Sequence, residues 1–233
     1  MATHTWRTTW VLSSKGDKQM RKFAIVAIAL VAAAIGLLTL YKLKYPTYTY
    51  RYRMAMEVDT GGEIRSGSSV IEVNVSRQPQ FLPEVSPYDR WARGQAIFVE
   101  LPGGKNLVAV LASGARGENG DYPIGIVQRV FRAPLENIPS LSGSKELNAD
   151  QFPTLVTVGD PSDSKTAHVV SPSSLENTLG VRLRSIVLEM TKDSVSPVTI
   201  DTRLPFLVDE ERKRIQITDP NIFIPRSSIF IRR

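Results

Sequence analysis

Cysteine is absent from this chain. Its absence excludes disulfides, thiolate metal sites and a cysteine nucleophile together. It leaves the compartment open, since disulfide-free domains occur on both sides of a membrane. Histidine is nearly absent: His4 lies in an N-terminal tail and His168 stands alone in Ala-His-Val-Val. Metal ligation by histidine needs companions at set spacings, and no H-E-x-x-H or related pattern occurs. His168 therefore reads first as a structural or surface residue. To serve as the base of a Ser-His-Asp triad it would need a serine and a carboxylate brought to it by the fold. The G-x-S-x-G elbow is missing, as are G-x-x-x-x-G-K-[ST] and a strand-to-helix G-x-G-x-x-G.

The remaining polar clusters are explained by turns and surface. Gly61-Gly62, Gly103-Gly104 and Gly114-Ala-Arg-Gly117 suit turns. Arg65-Ser66-Gly67-Ser68-Ser69 offers hydroxyls and a guanidinium to an anion, but reads more simply as a solvent-facing strand end. Asp160, Asp163 and Asp209-Glu210-Glu211 lack the spacing of a calcium loop. No residue is assigned a catalytic, cofactor-binding or metal role, and no cofactor is expected.

Charge is missing from one long run. Phe23 to Tyr41 holds nineteen residues without a charged side chain. As a helix it would measure roughly 28 Å, close to the hydrocarbon core of a bilayer. A cleaved signal peptide would have a shorter apolar run and a small-x-small site just after it. Here Ala32-Ala33-Ala34 lies inside the run and Leu-Thr-Leu-Tyr-Lys-Leu-Lys-Tyr follows. The run is therefore expected to be an uncleaved signal anchor, embedding residues 23–41 in the lipid bilayer. Residues 1–22 form a basic tail without an apolar face. Met20 precedes Arg21-Lys22 and the run directly, so translation from Met1 and from Met20 both fit. The tail carries five basic residues and the near C-terminal flank four, an almost even count. A short positive tail is hard to translocate, whereas a long domain crosses largely regardless of charge. The expected location is the cytoplasmic (inner) membrane, single-pass, with the N-terminus inside and residues 42–233 outside the cytoplasm.

The net charge of +6 does not signal nucleic acid, because of where it sits. Residues 1–53 carry nine Lys/Arg against Asp17 alone, whereas residues 54–233 carry twenty basic and twenty-two acidic residues. The basicity brackets the apolar run and suits anionic headgroups. The domain lacks the basic footprint of a nucleic-acid binder.

Beyond Pro46 the pattern is that of strands. Tyr48, Tyr50, Tyr52, Met54, Met56 and Val58 alternate with Thr49, Arg51, Arg53, Ala55, Glu57 and Asp59, a period of two. A second alternating run covers Ile64 to Ser76, and Gly61-Gly62 between them suits a two-residue hairpin turn. That turn sets Tyr52 opposite Ile71, Tyr50 opposite Val73 and Tyr48 opposite Val75 on one face, with Arg51 meeting Glu72 on the other. Tyr41 and Tyr45 are expected at the headgroups, the later tyrosines in the sheet. Gln78 to Pro87 reads as loop. Ala-Ile-Phe-Val-Glu-Leu from Ala96 and Asn-Leu-Val-Ala-Val-Leu-Ala-Ser from Asn106 flank Gly103-Gly104 as a second hairpin. It is apolar on both faces and so is expected in a central position. Further strands are expected over Ile124–Phe131, Thr154–Val158, Ala167–Val170, Val181–Met190, Val198–Ile200, Arg214–Ile217, Ile222–Ile224 and Ser228–Ile231. Short helices are expected after Ser144 as N-cap and near Pro172. The fold class is mainly β, with a β-rich α+β domain as the alternative: one transmembrane helix followed by a sheet-based domain of hairpins.

Three stretches carry a resemblance. They are the strand ending in Met56-Glu57-Val58-Asp59, the run Arg65-Ser-Gly-Ser-Ser-Val-Ile-Glu-Val73, and Arg93-Gly-Gln-Ala-Ile-Phe-Val-Glu-Leu101 before a Gly-Gly turn. With the basic start and single span, they resemble a group of uncharacterised single-span, membrane-anchored bacterial proteins with no assigned activity. The resemblance covers about residues 20–112 and implies topology and a β-rich domain, not a reaction. The leading functional expectation is a non-catalytic envelope protein, an interaction or accessory subunit with a protein partner in the envelope. The alternative is a membrane-tethered hydrolase using His168 with an Asp and a Ser. A small-ligand or lipid binder comes third.

Overall fold

The computed structural model of the protein describes residues 14–210 and 227–232. Two compact units emerge, Met1–Pro46 and Thr47–Arg233. The expected tail at residues 1–13 and strands at Arg214–Ile217 and Ile222–Ile224 lie outside the described residues.

The first unit is the helix α1 (Ser14–Lys44). It extends beyond the apolar run at both ends, because the flanking Lys, Arg, Gln and Leu are good helix formers. Lys42 and Lys44 place positive charge in the last turn, where the helix dipole favours it. Pro46 then disfavours helical geometry at Tyr45. Within the run, the Thr39 hydroxyl donates to the Ile35 carbonyl at 2.8 Å and so needs no outside partner. Within Met20–Lys44 an 18-residue window has a mean hydropathy of 2.8 and is unburied, and the segment is long and apolar enough to cross a membrane.

The second unit is built on two antiparallel sheets. The first has six strands, and its heart is the hairpin of β1 (Thr47–Asp59) and β2 (Ile64–Arg77). The expected register is present: Tyr52 pairs with Ile71, Tyr50 with Val73, Tyr48 with Val75 and Arg51 with Glu72. At the turn Gly61 has φ +84° while Gly62 does not enter the positive region, the pattern of a II′ turn with glycine at its first central position. Thr60 N donates to Glu63 O at 3.0 Å to close it. β3 (Tyr88–Gln95), β9 (Arg182–Met190), β6 (Ser144–Glu146) and β10 (Ile231–Arg232) complete the sheet in the order β10-β3-β2-β1-β9-β6. The second sheet has the order β4-β5-β7-β8, from β4 (Ile97–Glu100), β5 (Asn106–Ala109), β7 (Leu155–Val158) and β8 (Ala167–Val170).

This second sheet is the middle layer, which explains its apolar strands. Ile97, Val99, Leu107 and Ala109 face a core shared with Tyr50, Tyr52, Met54, Met56 and Val58 of the large sheet. Val108, Val156 and Val158 face a second core with Ile200, Leu204, Phe206 and Phe230. A strand buried on both faces needs no polar alternate positions. β5 is central as expected, whereas β4 is an edge in hydrogen-bonding terms. Gly67 permits the layers to meet: a Cβ there would lie 2.6 Å from the Phe98 carbonyl oxygen. Buried Asn106 joins β5 to β7, its side-chain amide donating to Val158 O at 2.7 Å and accepting from Val158 N at 2.9 Å.

Four expectations need correction. Ile124–Phe131 is not a strand but lies in helix α2 (Tyr122–Phe131), with Pro123 in its first turn. Tyr122, Ile126 and Val130 recur every fourth residue and are all buried, a helical stripe. Tyr50 and Tyr52 donate hydroxyl hydrogen bonds to the carbonyls of Ile124 and Pro123, at 3.0 and 2.9 Å, holding this helix on the sheet. Ser144 does not cap a helix. Ser144–Glu146 form the edge strand β6, and the next turn starts later, in a capping box between Asn148 and Gln151. The short helix expected near Pro172 is present as α3 (Leu175–Leu179). Val198–Ile200 is not a strand, since Ile200 opens helix α4 (Ile200–Arg203) and buries its side chain. Ser228–Phe230 belong to helix α6 (Ser227–Phe230), and only Ile231 continues as strand. Among the described residues strand and helix take comparable shares, so the description that holds is a sheet-based domain after an apolar helix.

Candidate functional site

β3 reads Tyr-Asp-Arg-Trp-Ala-Arg-Gly-Gln, with Ala92 buried and Asp89, Trp91 and Arg93 exposed. It lies beside β2, with Trp91 opposite Asn74 and Arg93 opposite Glu72. Glu72 is already engaged, because Arg51 Nε donates to its Oε2 at 2.6 Å from the other side. Arg93 is left without a hydrogen-bond or ion-pair partner among the described residues. Trp91 keeps 41% of its surface exposed.

Residues 191–199 form a strap over this face of the sheet. Thr191 N donates to Arg51 O at 3.1 Å, and Asp193 pairs with the Arg53 guanidinium. Ser196 answers both backbone groups of Val70: its Oγ accepts from Val70 N at 2.8 Å and its N donates to Val70 O at 3.3 Å. Gln95, buried, accepts through Oε1 from Thr199 N at 2.8 Å and from Ile200 N at 3.1 Å. Pro197, with no N–H to satisfy, suits the irregular stretch between these ties. β10 pairs with the end of β3, setting Arg232 opposite Gly94.

Strap, β3 and β10 enclose a groove of about 580 Å³ lined by Trp91, Arg93, Ser196, Pro197, Val198 and Arg232, among others. That volume falls in the range of ligand pockets, roughly 300–1,000 Å³. No carboxylate lines it among the described residues. Arg232 donates through Nη2 to Gly120 O, while its buried Nε has no hydrogen-bond partner among the described residues. Burial lowers the Arg232 pKa below its ordinary value, with the charge of nearby Asp121 opposing. An arginine remains a cation in proteins. The groove therefore presents an aromatic face and the free guanidinium of Arg93, while the Arg232 guanidinium is turned to Gly120 and Asp121. Chemically this suits an anionic group flanked by apolar surface. Two smaller cavities, of about 280 and 200 Å³, lie beside Met190 and beside Tyr88. Neither combines an exposed tryptophan with cations free of an ion pair.

The residues singled out from the sequence are placed elsewhere. His168 is exposed on β8 opposite Thr157. Among the described residues it has no hydrogen-bond or ion-pair partner, so no serine and carboxylate are brought to it. Arg65 pairs with Glu63 at 2.8 Å at the hairpin end of β2. Ser69 is buried, and its Oγ has no partner among the described residues. Asp160 and Asp163 accept from the backbone N–H groups of Ser162 and Lys165 and stabilise their own turns. No group of three or more His, Asp or Glu able to hold a metal occurs among the described residues. Asp209 and Glu210 end helix α5 (Phe206–Glu210), and Glu211 lies outside the described residues. Sequence reasoning missed Trp91, Arg93 and Arg232. The one available signal was an aromatic residue between two arginines in Arg90-Trp91-Ala92-Arg93.

Comparison of the chain with protein families, with curated proteins and with solved structures finds no match.

Proposed function

We propose that this is a single-span protein of the cytoplasmic membrane with its N-terminus inside. In this reading α1 is the anchor and the β-rich domain lies outside the cytoplasm. The domain acts as a non-catalytic interaction subunit: its groove holds an acidic, partly apolar segment of another envelope protein. The observation that carries this reading is the lining of the groove, where Trp91 stands with the unpaired Arg93 and no carboxylate among the described residues. An exposed tryptophan and arginine pair is the composition from which binding hot spots are most often made. No observation favours the hydrolase reading of His168 in comparable degree.

The test is photocrosslinking in native membranes, with a photoreactive phenylalanine in place of Trp91 and, as control, of exposed Ser68. The expected result is one dominant adduct from the Trp91 position, mapping to an acidic segment and lost on adding Arg93→Glu. An adduct that survives Arg93→Glu, or that forms equally from Ser68, contradicts the reading.

A further inference from the structure

The loop between β2 and β3, residues 78–87, exposes apolar side chains at its tip. Phe81 is 88% exposed, Leu82 59% and Val85 48%. No other stretch of the sheet-based unit among the described residues displays three large apolar groups so close together. The loop is nonetheless ordered from within. Gln78 N donates to Pro87 O at 2.9 Å and closes its base, and Val85 N donates to Leu82 O at 3.1 Å and closes its turn. The Gln80 side chain donates to the carbonyls of Pro83 and Val85 at 3.0 and 3.1 Å. Pro79, Pro83 and Pro87 carry no N–H at all. The loop thus answers part of its own backbone polarity, a requirement for a backbone that enters apolar surroundings.

Topology supplies the occupant. Thr47 pairs with Ser76, and Arg77 pairs with Tyr88, so the loop lies at the end of the sheet where β1 begins. Only Tyr45 and Pro46 separate β1 from the last residue of α1. The β1–β2 turn at Gly61-Gly62 marks the opposite end, about 40 Å away at roughly 3.4 Å per strand residue. Chain connectivity therefore puts the exposed tip, and not the glycine turn, at the end that leads into the span.

We infer that residues 78–87 are a second membrane contact, in which Phe81 and Leu82 enter the lipid surface beside the anchor. The inference rests on the reading of α1 as a membrane span. Insertion is shallow, about 5–10 Å into the boundary between headgroups and acyl chains. That depth keeps Glu84, the one charged residue between Arg77 and Asp89, at headgroup level. The contact fixes the orientation of the sheet relative to the bilayer, which a single tether cannot do.

The absence of cysteine makes the test direct. Single-cysteine variants Phe81→Cys, Thr60→Cys and Val31→Cys of the full chain carry an environment-sensitive nitrobenzoxadiazole label. They are reconstituted into phosphatidylcholine–phosphatidylglycerol vesicles containing acyl-chain nitroxide quenchers. The expected order of quenching is Val31 strongest, Phe81 intermediate with a blue-shifted emission, and Thr60 none. Quenching at Val31 with Phe81 as unquenched as Thr60 overturns the loop contact and leaves the span standing. No quenching at Val31 overturns the span, and the loop contact with it.

Discussion

Replacing Tyr50 by alanine, and separately its neighbour Arg51, tests the hairpin at its most closely argued point. The two residues are adjacent, yet the register sends them to opposite faces. Tyr50 is 5% exposed, packs in the inter-sheet core and donates to the Ile124 carbonyl at 3.0 Å. Truncating a buried aromatic to alanine costs about 3–5 kcal/mol, and the lost hydrogen bond accounts for about 1 kcal/mol of such a figure. Arg51 meets Glu72 at 2.6 Å, but 37% of its side chain remains in solvent. Screening limits such a pair to about 0–1 kcal/mol. With a urea slope near 2 kcal/mol/M, the midpoint of the full chain in mild detergent should fall by about 2 M for Tyr50→Ala. For Arg51→Ala the fall should stay under about 0.5 M on the same slope. Near-ultraviolet circular dichroism follows the sheet-based unit without interference from the anchor helix, whose run holds only one tyrosine. Equal shifts, or a larger one for Arg51→Ala, would refute the argument that the tyrosine face is the load on which α2 and the sheet are joined.

Gly67→Val should destabilise by roughly 1–3 kcal/mol, as overpacking does, because its Cβ would meet the Phe98 carbonyl at 2.6 Å; an unchanged urea midpoint would contradict the close approach of β4. Asn106→Leu should cost about 1–3 kcal/mol for each Val158 backbone group left unpaired, read from the same denaturation curve, with Thr157→Val as the milder comparison. Burial raises the pKa of Tyr50, Tyr52 and Tyr122. A raised folded-state value holds protons that the unfolded chain releases, so this stability is complete below about pH 10 and is lost as pH rises past it. Phenolate absorbance should therefore show these three tyrosines ionising only together with unfolding, and a smooth titration before unfolding would contradict their burial.

The β1–β2 hairpin was legible because three signals agreed: period two, a glycine pair, and opposite charges at Arg51 and Glu72. Helix α2 was not, since Ile-Gly-Ile-Val-Gln-Arg-Val-Phe is β-branched and apolar enough to pass for a strand. The spacing of Tyr122, Ile126 and Val130, with Pro123 in the first turn, was the contrary signal. β3 escaped notice because only one residue of Tyr88–Arg93 is buried, which leaves its alternation without hydrophobic contrast. Ser144–Glu146 has all three residues exposed, so nothing apolar distinguishes it as strand. The groove was out of reach for a different reason. Trp91, Ser196 and Arg232 are far apart in the chain and meet only because β10 pairs back onto Gly94 and the strap ties to Val70 and Gln95. No local pattern encodes that meeting.

The proposed topology is the claim on which the envelope partner of the groove depends, and a fusion after Arg233 tests it directly. A reporter that works only outside the cytoplasm should be active there, and a reporter that works only in the cytoplasm should be silent. The reverse pair of results would place the sheet-based domain inside and contradict the account.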